Sequence, residues 1–143
     1  MNSEKIAFIF PATKDAKGRE APILSFRCAA LPAETKITIA VAFVGLHQSK
    51  DYLISVDITD SNGTTILHGR AEEIPAKISV TADDLEAEPT DVPGFLSASV
   101  SIRIINTGIH IIKCSIARAD MPDETIHKSE AYFRIIPQEA YNE

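Results

Sequence analysis

The most constraining feature of the sequence is a regular alternation of apolar and polar residues over two segments, 52–59 and 95–104. The first segment ends at Asp60-Ser61-Asn62-Gly63, a turn sequence whose residues tolerate positive φ, and the pattern resumes over residues 64–67. Alternation of this length is typical of strands that bury one face and leave the other in water, as antiparallel sheets do. The sequence therefore predicts an all-β fold with a β-hairpin.

The remaining strands follow from apolar runs bounded by proline, glycine and other turn residues. We predict eight or nine strands, at residues 5–10, 23–30, 36–44, 52–59, 64–69, 77–81, 95–105, 109–117 and 130–136. Pro11 is expected to end the first strand and Gly45 the third, and at most one helical turn is expected, at residues 82–87. Residues 1–143 are expected to form a single antiparallel two-sheet sandwich, since no linker or internal repeat divides them.

The alternation also assigns side chains to the two faces of each strand. The inward set that we predict is Ile37, Ile39, Val41, Phe43, Tyr52, Ile54, Val56, Ile58, Leu96, Ala98, Val100, Ile102 and Ile104. The outward set on the second alternating segment is Ser97, Ser99, Ser101 and Arg103. Because small polar side chains make a flat surface, we expect this row either to be simply hydrated or to dock a partner sheet or chain.

From residue 23 onward, the order of strands and turns resembles an immunoglobulin-like sandwich. The segment that begins at Gly108 is similar to the penultimate strand of such domains, which implies the inward positions His110, Ile112, Cys114 and Ile116. Leu24, Phe26 and Cys28 are expected to point inward on an earlier strand. The chain departs from antibody-type domains because it has no Trp and carries Ile112, not Tyr, two residues before Cys114. The chain is also loosely similar to uncharacterised bacterial domains of this arrangement, which implies a fold and no activity.

The two cysteines, Cys28 and Cys114, are expected to be reduced and buried, although a bridge between the two sheets is the alternative. Residues 1–10 lack the long apolar run and small-residue cleavage site of a secretory signal, so we expect a cytoplasmic protein. The apolar neighbours of Cys114 argue against a catalytic thiol, since such surroundings raise the pKa.

The charge pattern bears on the class of partner. The net charge is −6, and the 14 basic residues form no stripe, so we expect no binding to nucleic acid or to an anionic membrane. Much of the negative charge lies in an acidic run, which consists of Asp83, Asp84, Glu86, Glu88 and Asp91. This run can bind calcium with Asp57 or Asp60 only if the loops converge at one end of the sandwich.

Motifs for catalysis or cofactor binding are not found. The four histidines, His47, His68, His110 and His127, share no metal-ligand spacing, and neither a G-x-S-x-G elbow nor a glycine-rich phosphate loop occurs. We therefore expect no enzyme, no cofactor and no metal. His110 is expected to be a hydrogen-bonded histidine at the core edge, or else a pH-sensitive or ligand-contacting imidazole. A carbohydrate site is not expected, because we place most aromatic residues inward.

These observations favour a non-enzymatic protein-interaction or scaffold module whose partner the sequence does not name. The candidate interaction residues are Ser97, Ser99, Ser101, Arg103 and Tyr132. The alternative is a small-molecule or calcium-binding domain that uses the end loops at residues 45–51 and 83–94. Residues 5–10 and 130–136 are the expected edges or pairing partners. Tyr132 and Ile136 are expected to pack on the amino-terminal strand or on a second copy, which leaves a homodimer open.

Overall fold

The computed structural model describes residues 3–14, 17–68, 76–81 and 87–138. Within these ranges the chain forms nine strands and no helix. The strands are β1 (Lys5–Lys14), β2 (Glu20–Pro22), β3 (Ser25–Cys28), β4 (Ala33–Leu46), β5 (Asp51–Thr59), β6 (Ala76–Thr81), β7 (Val92–Ile104), β8 (Gly108–Arg118) and β9 (Thr125–Pro137). The helical turn expected at residues 82–87 lies outside the described residues, apart from Ala87.

The strands form two sheets that pack face to face. The four-stranded sheet has the order β2-β1-β4-β7, and the five-stranded sheet has the order β3-β9-β8-β5-β6. Neighbouring strands are antiparallel except β3 and β9, which run parallel. The chain therefore begins in one sheet with β1 and β2 and enters the other with β3. The immunoglobulin-like all-β sandwich is confirmed, with one parallel pair that the sequence did not predict.

The core lies between the sheets and is built from alternate residues of the long strands. Its buried members include Ile37, Ile39, Val41, Phe43, Tyr52, Ile54, Val56, Ile58, Ile102, Ile104, Ile112, Cys114, Ile116, Phe133 and Ile135. The predicted inward faces of β4 and β5 are confirmed. On β7, Leu96 and Val100 are only partly buried, although both pack against the core.

Pro11 does not end the first strand. The Pro11 carbonyl accepts a hydrogen bond from the Ile23 N–H at 3.0 Å, and β1 continues to Lys14. In a strand, the N–H and C=O of one residue point to the same side. The N–H that proline lacks would therefore point toward Ile23, on the side of β1 away from β4. For this reason its absence removes no hydrogen bond from the pairing of β1 with β4.

The expected strand at residues 23–30 is shorter than predicted, because the chain changes sheets there. β2 pairs with β1, whereas β3 pairs with β9, and Leu24 lies at the crossing. Leu24 is consequently 73% exposed, not inward. Its carbonyl accepts the Arg134 N–H at 2.8 Å, which fixes the start of β3.

The hairpin turn forms as predicted, but its second arm is not a strand. Gly63 has a φ of 83°, and Asp60 Oδ1 accepts the Asn62 and Thr64 N–H groups at 2.9 and 3.1 Å. The chain then crosses to β7, where the His68 N–H donates to the Ser101 carbonyl at 2.8 Å. Gly69, the predicted end of this arm, lies outside the described residues.

The two cysteines are free thiols that lie in the same sheet, which excludes a bridge between sheets. Cys28 is opposite Pro137 on one side of β9, and Cys114 is opposite Ser129 on the other. Pro137 and Ser129 are about 26 Å apart along the strand at about 3.3 Å per residue. A disulfide needs Cα atoms within about 7 Å of each other, so the thiols cannot pair.

Candidate functional site

The outer face of the four-stranded sheet carries a graded set of cross-strand rows. Residues in register across β1, β4 and β7 form successive rows: Phe8, Ala42 and Phe95; Phe10, Ala40 and Ser97; and Ala12, Thr38 and Ser99. Further along, Lys36 lies opposite Ser101 and Glu34 opposite Arg103. The surface therefore changes from aromatic to hydroxylated to charged along the strands. We name the part formed by Phe8, Phe10, Ala42, Phe95, Ser97 and Ser99 the phenylalanine face.

The aromatic end of this face is open to solvent. Phe8 is 52% and Phe95 is 60% exposed, and the rings of Phe8 and Phe10 stack with centroids 6.0 Å apart. Only the small side chain of Ala42 separates Phe8 from Phe95 across the sheet. Grouped exposed aromatics of this kind mark interaction sites more often than single exposed apolar residues do. The expectation that most aromatic residues point inward is wrong for this sheet, since Phe8, Phe10 and Phe95 all lie on its outer face.

The predicted serine row lies on this face. Ser97 and Ser99 are exposed, and the Ser99 hydroxyl is 3.2 Å from the Thr38 hydroxyl on β4. Ser101 is half-buried and Arg103 is exposed. The outward orientation predicted for all four residues is confirmed. Sequence reasoning did not find Phe8 and Phe10, because the register that brings β1 beside β4 is a tertiary property.

Tyr132 lies on the opposite side of the molecule, on the outer face of the five-stranded sheet. It is 56% exposed and does not pack on the amino-terminal strand. With Leu24, Ile109, Phe133 and Arg134 it borders an apolar groove of about 630 Å³. Arg134 Nε donates to Ser25 Oγ at 3.2 Å. The structure therefore separates Tyr132 from the four residues of the serine row.

A buried carboxylate at one end of the sandwich is the second polar cluster. Glu4 is fully buried, and its Oε2 accepts the Tyr52 hydroxyl at 2.9 Å and Arg118 Nη2 at 2.9 Å. Tyr52 in turn accepts the His47 N–H at 2.9 Å. Burial raises the pKa of Tyr52 to about 12. A buried tyrosine needs a hydrogen-bond partner, which is the one sequence signal that could have indicated this cluster.

The Glu4 carboxylate is not suited to proton transfer. Burial alone would raise its pKa, but hydrogen bonds from its backbone, Tyr52 and Arg118, together with the Arg118 charge, outweigh burial and lower the pKa below 4.5. A general base works best with a pKa near the operating pH and must reach the substrate. Glu4 meets neither condition, so the cluster serves to hold β1, β5 and β8 together.

His110 belongs to the core. Its ring is fully buried at the start of β8, with Nδ1 3.0 Å from the Gly108 carbonyl and its centroid 5.6 Å from that of Phe133. Among the described residues, Nε2 has no hydrogen-bond partner. Since the ring has no exposed surface, it cannot contact a ligand from solution, which favours the interpretation as a core histidine.

The carboxylates considered for calcium are far apart. The loop at residues 45–51 meets residues 87–91, where the Gln48 N–H donates to the Pro89 carbonyl at 2.7 Å. Asp57 and Asp60 lie at the other end of β5, a strand that spans about 30 Å. For Glu88 and Asp91, the described members of the acidic run, the condition for a calcium site shared with Asp57 or Asp60 is therefore not met. Asp83, Asp84 and Glu86 lie outside the described residues, and the residues described hold no cluster of three metal-ligating side chains.

The Cys114 thiol is also unsuited to chemistry, because burial raises its pKa to about 12. At neutral pH it therefore contains almost no reactive thiolate.

Within the described ranges, no helix is long and apolar enough to cross a membrane.

Comparison with known proteins supports the fold and goes no further. No protein-family model matches the chain, and no curated protein matches its sequence. A bacterial adhesin from Mobiluncus mulieris that contains disulfide, isopeptide and ester cross-links is similar in structure, with a TM-score of 0.61 and 10% identity. The similarity covers 96% of this chain and 58% of the adhesin chain. The C-terminal domain of wzt has a TM-score of 0.55 and 12% identity, over 100% of this chain and 79% of that one.

A Bifidobacterium dentium beta-glucuronidase, complexed with coumarin-3-O-glucuronide, is similar with a TM-score of 0.51 and 20% identity. That similarity covers 94% of this chain but 18% of the enzyme chain. Identities this low show a shared fold alone. The chain therefore shares a β-sandwich fold with parts of these three proteins.

Proposed function

We propose that this chain is a non-enzymatic protein-interaction module that binds its partner on the phenylalanine face. The single observation that carries the proposal is the row of Phe8, Ala42 and Phe95, in which two aromatic rings stand more than half exposed on a flat sheet surface. Protein interfaces are enriched in aromatic residues, and a few such residues supply most of the binding energy.

The shape of this face suits a partner that lies flat on it. Between and beside the rings, the outward residues are Ala42, Ser97 and Ser99, whose side chains let a partner surface approach closely. The hydroxyl groups can donate or accept hydrogen bonds at the rim of the aromatic row. This combination of an apolar centre and a polar margin is the usual anatomy of a transient interface.

The charges around this face indicate what the partner carries. Lys5, Lys36 and Arg103 are exposed on this side of the sheet, where one exposed carboxylate, Glu34, lies opposite Arg103. Three cations therefore accompany a single carboxylate. The chain as a whole has a net charge of −6, so this surface is locally basic on an acidic protein. We infer a partner with an apolar surface flanked by carboxylates, because complementary charge guides association. The same basic rim disfavours contact between two copies of this face.

The proposal is tested by affinity capture with matched variants. Wild type, Phe95→Ser and Ile109→Ser are immobilised and exposed to lysate of the source organism, and captured proteins are identified by mass spectrometry. Ile109 is 56% exposed on the other sheet, so its variant removes an equally exposed apolar residue away from this face. A protein retained by wild type and Ile109→Ser but lost with Phe95→Ser is then purified and titrated calorimetrically. Loss of one central aromatic residue should weaken its binding about 30-fold.

The outcomes separate the candidate ligands. Equal capture by all three proteins would overturn the proposal. Exposed aromatic rings also stack on sugars, so the same variants are applied to an array of saccharides. Binding to a saccharide that Phe95→Ser abolishes would replace the protein partner with a carbohydrate. Binding to a protein that weakens with added salt and with Lys36→Glu supports the acidic partner.

A further inference from the structure

The first part of β9 is a sheet edge that no described strand covers. β9 spans Thr125–Pro137, but β3 pairs only with its last part, from Arg134 to Pro137. Among the described residues, no strand pairs with this side of residues 125–133. The expected edge at residues 130–136 is therefore open in its first part and covered in its second. An open edge presents unpaired N–H and C=O groups, which another strand can bind.

The direction of these groups follows from the covered part of the strand. The Arg134 N–H donates to the Leu24 carbonyl, so the backbone groups of Arg134 point away from β8. Alternate residues share this direction, which gives Lys128, Glu130 and Tyr132 the unpaired groups on the open side. The side chains of these three residues are also exposed, on the outer face of the sheet.

The neighbouring edge of β1 is less accessible. Its pairing with β4 shifts register between Ile6 and Phe8, which marks a bulge at Ala7. The Ile6 N–H is already occupied, since it donates to His127 Nδ1 at 2.9 Å. Bulges and occupied backbone groups are the features by which natural sheets block edge pairing. β9 has a bulge of its own at Ile126, so residues 127–133 are the part of its edge that a strand can extend.

We propose that a second copy of the chain pairs antiparallel with the open part of β9, with Ser129 opposite Ser129 of the second copy. A two-fold axis requires one residue to lie opposite itself, and the choice of that residue sets every other pair. With Ser129 on the axis, Lys128 lies opposite Glu130 of the second copy, and Glu130 lies opposite Lys128. An axis at Lys128 or at Glu130 would place two like charges against each other.

The backbone supports the same register. The backbone N–H and C=O of Ser129 point toward β8 and away from the second copy. The Ser129–Ser129 pair therefore exchanges no hydrogen bonds between the two copies, whereas the Lys128–Glu130 pair on each side of the axis does. Opposite charges directly across an antiparallel pair are favourable, whereas like charges are unfavourable. Tyr132, three residues from the axis, lies opposite Ile126 of the second copy, where β9 has its bulge. This interface lies on the other sheet from the phenylalanine face, and the two proposals stand or fall separately.

Charge reversal tests the register. Light scattering coupled to size exclusion should find a dimer for wild type that dissociates on dilution. Lys128→Glu and Glu130→Lys should each weaken dimerisation at least about tenfold, because each places like charges opposite one another on both sides of the axis. The double variant K128E/E130K should restore the dimer, since opposite charges face each other again. Ser99→Glu, on the other sheet, should have no effect.

A cross-link gives a second readout. Cα atoms in a pair without hydrogen bonds are about 4.5 Å apart, which allows a disulfide. Because Ser129 lies opposite Cys114 on β8, the test uses a Cys114→Ala background. In that background Ser129→Cys should form a covalent dimer on oxidation, whereas Ser115→Cys on β8 should not. A wild type that stays monomeric at every concentration, a dimer unaffected by both single reversals, or absence of the Cys cross-link in a folded Ser129→Cys protein would overturn the proposal.

Discussion

Arg118 and Glu4, 114 positions apart in the sequence, form an ion pair that joins β8 to the start of β1. Arg118 Nη2 lies 2.9 Å and Nε 3.0 Å from Glu4 Oε2, and Tyr52 donates to the same oxygen. The pair lies at the start of β1, because Glu4 immediately precedes Lys5. It therefore helps to hold in place the strand that supplies the phenylalanine face.

Glu4→Gln should destabilise the protein by about 2 kcal/mol, because it leaves a partly buried guanidinium without its counter-ion. Chemical denaturation followed by circular dichroism measures the free energy of unfolding. Glu34→Gln is the matched control, since Glu34 is 60% exposed and faces His68 at 3.5 Å. The control should change stability by no more than about 0.5 kcal/mol. Equal losses of unfolding free energy for the two variants would show that the buried ion pair stabilises the protein no more than the exposed carboxylate of Glu34 does.

Stability should fall in acid partly through Glu4. Its pKa is lower in the folded protein than the ordinary value of 4.5, which the unfolded chain has. Its stabilisation is therefore fully present above the ordinary pKa and is lost as the pH falls through the folded-state pKa. Asp60 acts in the same direction, since its pKa is also lowered. The difference in stability between wild type and Glu4→Gln isolates Glu4, and it should shrink as the pH falls below 4.5 through the folded-state pKa. A constant difference over this range would contradict the assignment.

Gly45→Ala should cost more than Gly63→Ala. Both glycines have positive φ, 73° and 83°, so a side chain at either position strains the backbone by about 1–2 kcal/mol. At Gly45 a Cβ atom would also collide with the Ser3 backbone carbonyl, whereas nothing lies within 4 Å at Gly63. We expect a loss of about 3 kcal/mol for Gly45→Ala and about half of that for Gly63→Ala. Equal losses in thermal or chemical melts would mean that the contact with Ser3 is not maintained.

The melting temperature should be the same with and without reductant, because Cys28 and Cys114 are too far apart to pair. Burial raises the pKa of both thiols, to about 12 for Cys114. Alkylation of the native protein should therefore modify the half-buried Cys28 first and Cys114 only after unfolding. Mass spectrometry of the alkylated protein gives the order, and rapid native modification of Cys114 would contradict its burial.

The alternating segments predicted the fold well because alternation reports directly on burial. The strand expected at residues 52–59 differs from β5 by one residue, and the outward serine row lies where the pattern placed it. The failures occur where the chain changes sheets. Leu24 was expected to point inward, but the crossing between β2 and β3 exposes it. Residues 64–66 remain bonded to the end of β5, whereas residues 66–68 pair with β7. Local pattern does not indicate which sheet a segment joins.

The candidate surface was predictable only in part, for a similar physical reason. Ser97 and Ser99 could be assigned to an outer face from β7 alone. Phe8 and Phe10 join them through the register of β1 on β4, and the bulge at Ala7 sets which β1 residues point outward. The Glu4–Arg118 pair likewise depends on contacts between distant parts of the chain. Such relationships arise from packing, so a single sequence contains no local signal for them.

The most direct test of the central claim is to map the partner's binding surface by nuclear magnetic resonance. The isotope-labelled chain is titrated with the captured partner, and amide chemical-shift changes are followed residue by residue. Binding on the phenylalanine face predicts the largest changes on β1, β4 and β7, centred on Phe8, Ala42 and Phe95. Changes centred on β3, β8 and β9, with the amides of Phe8 and Phe95 unaffected, would contradict the account.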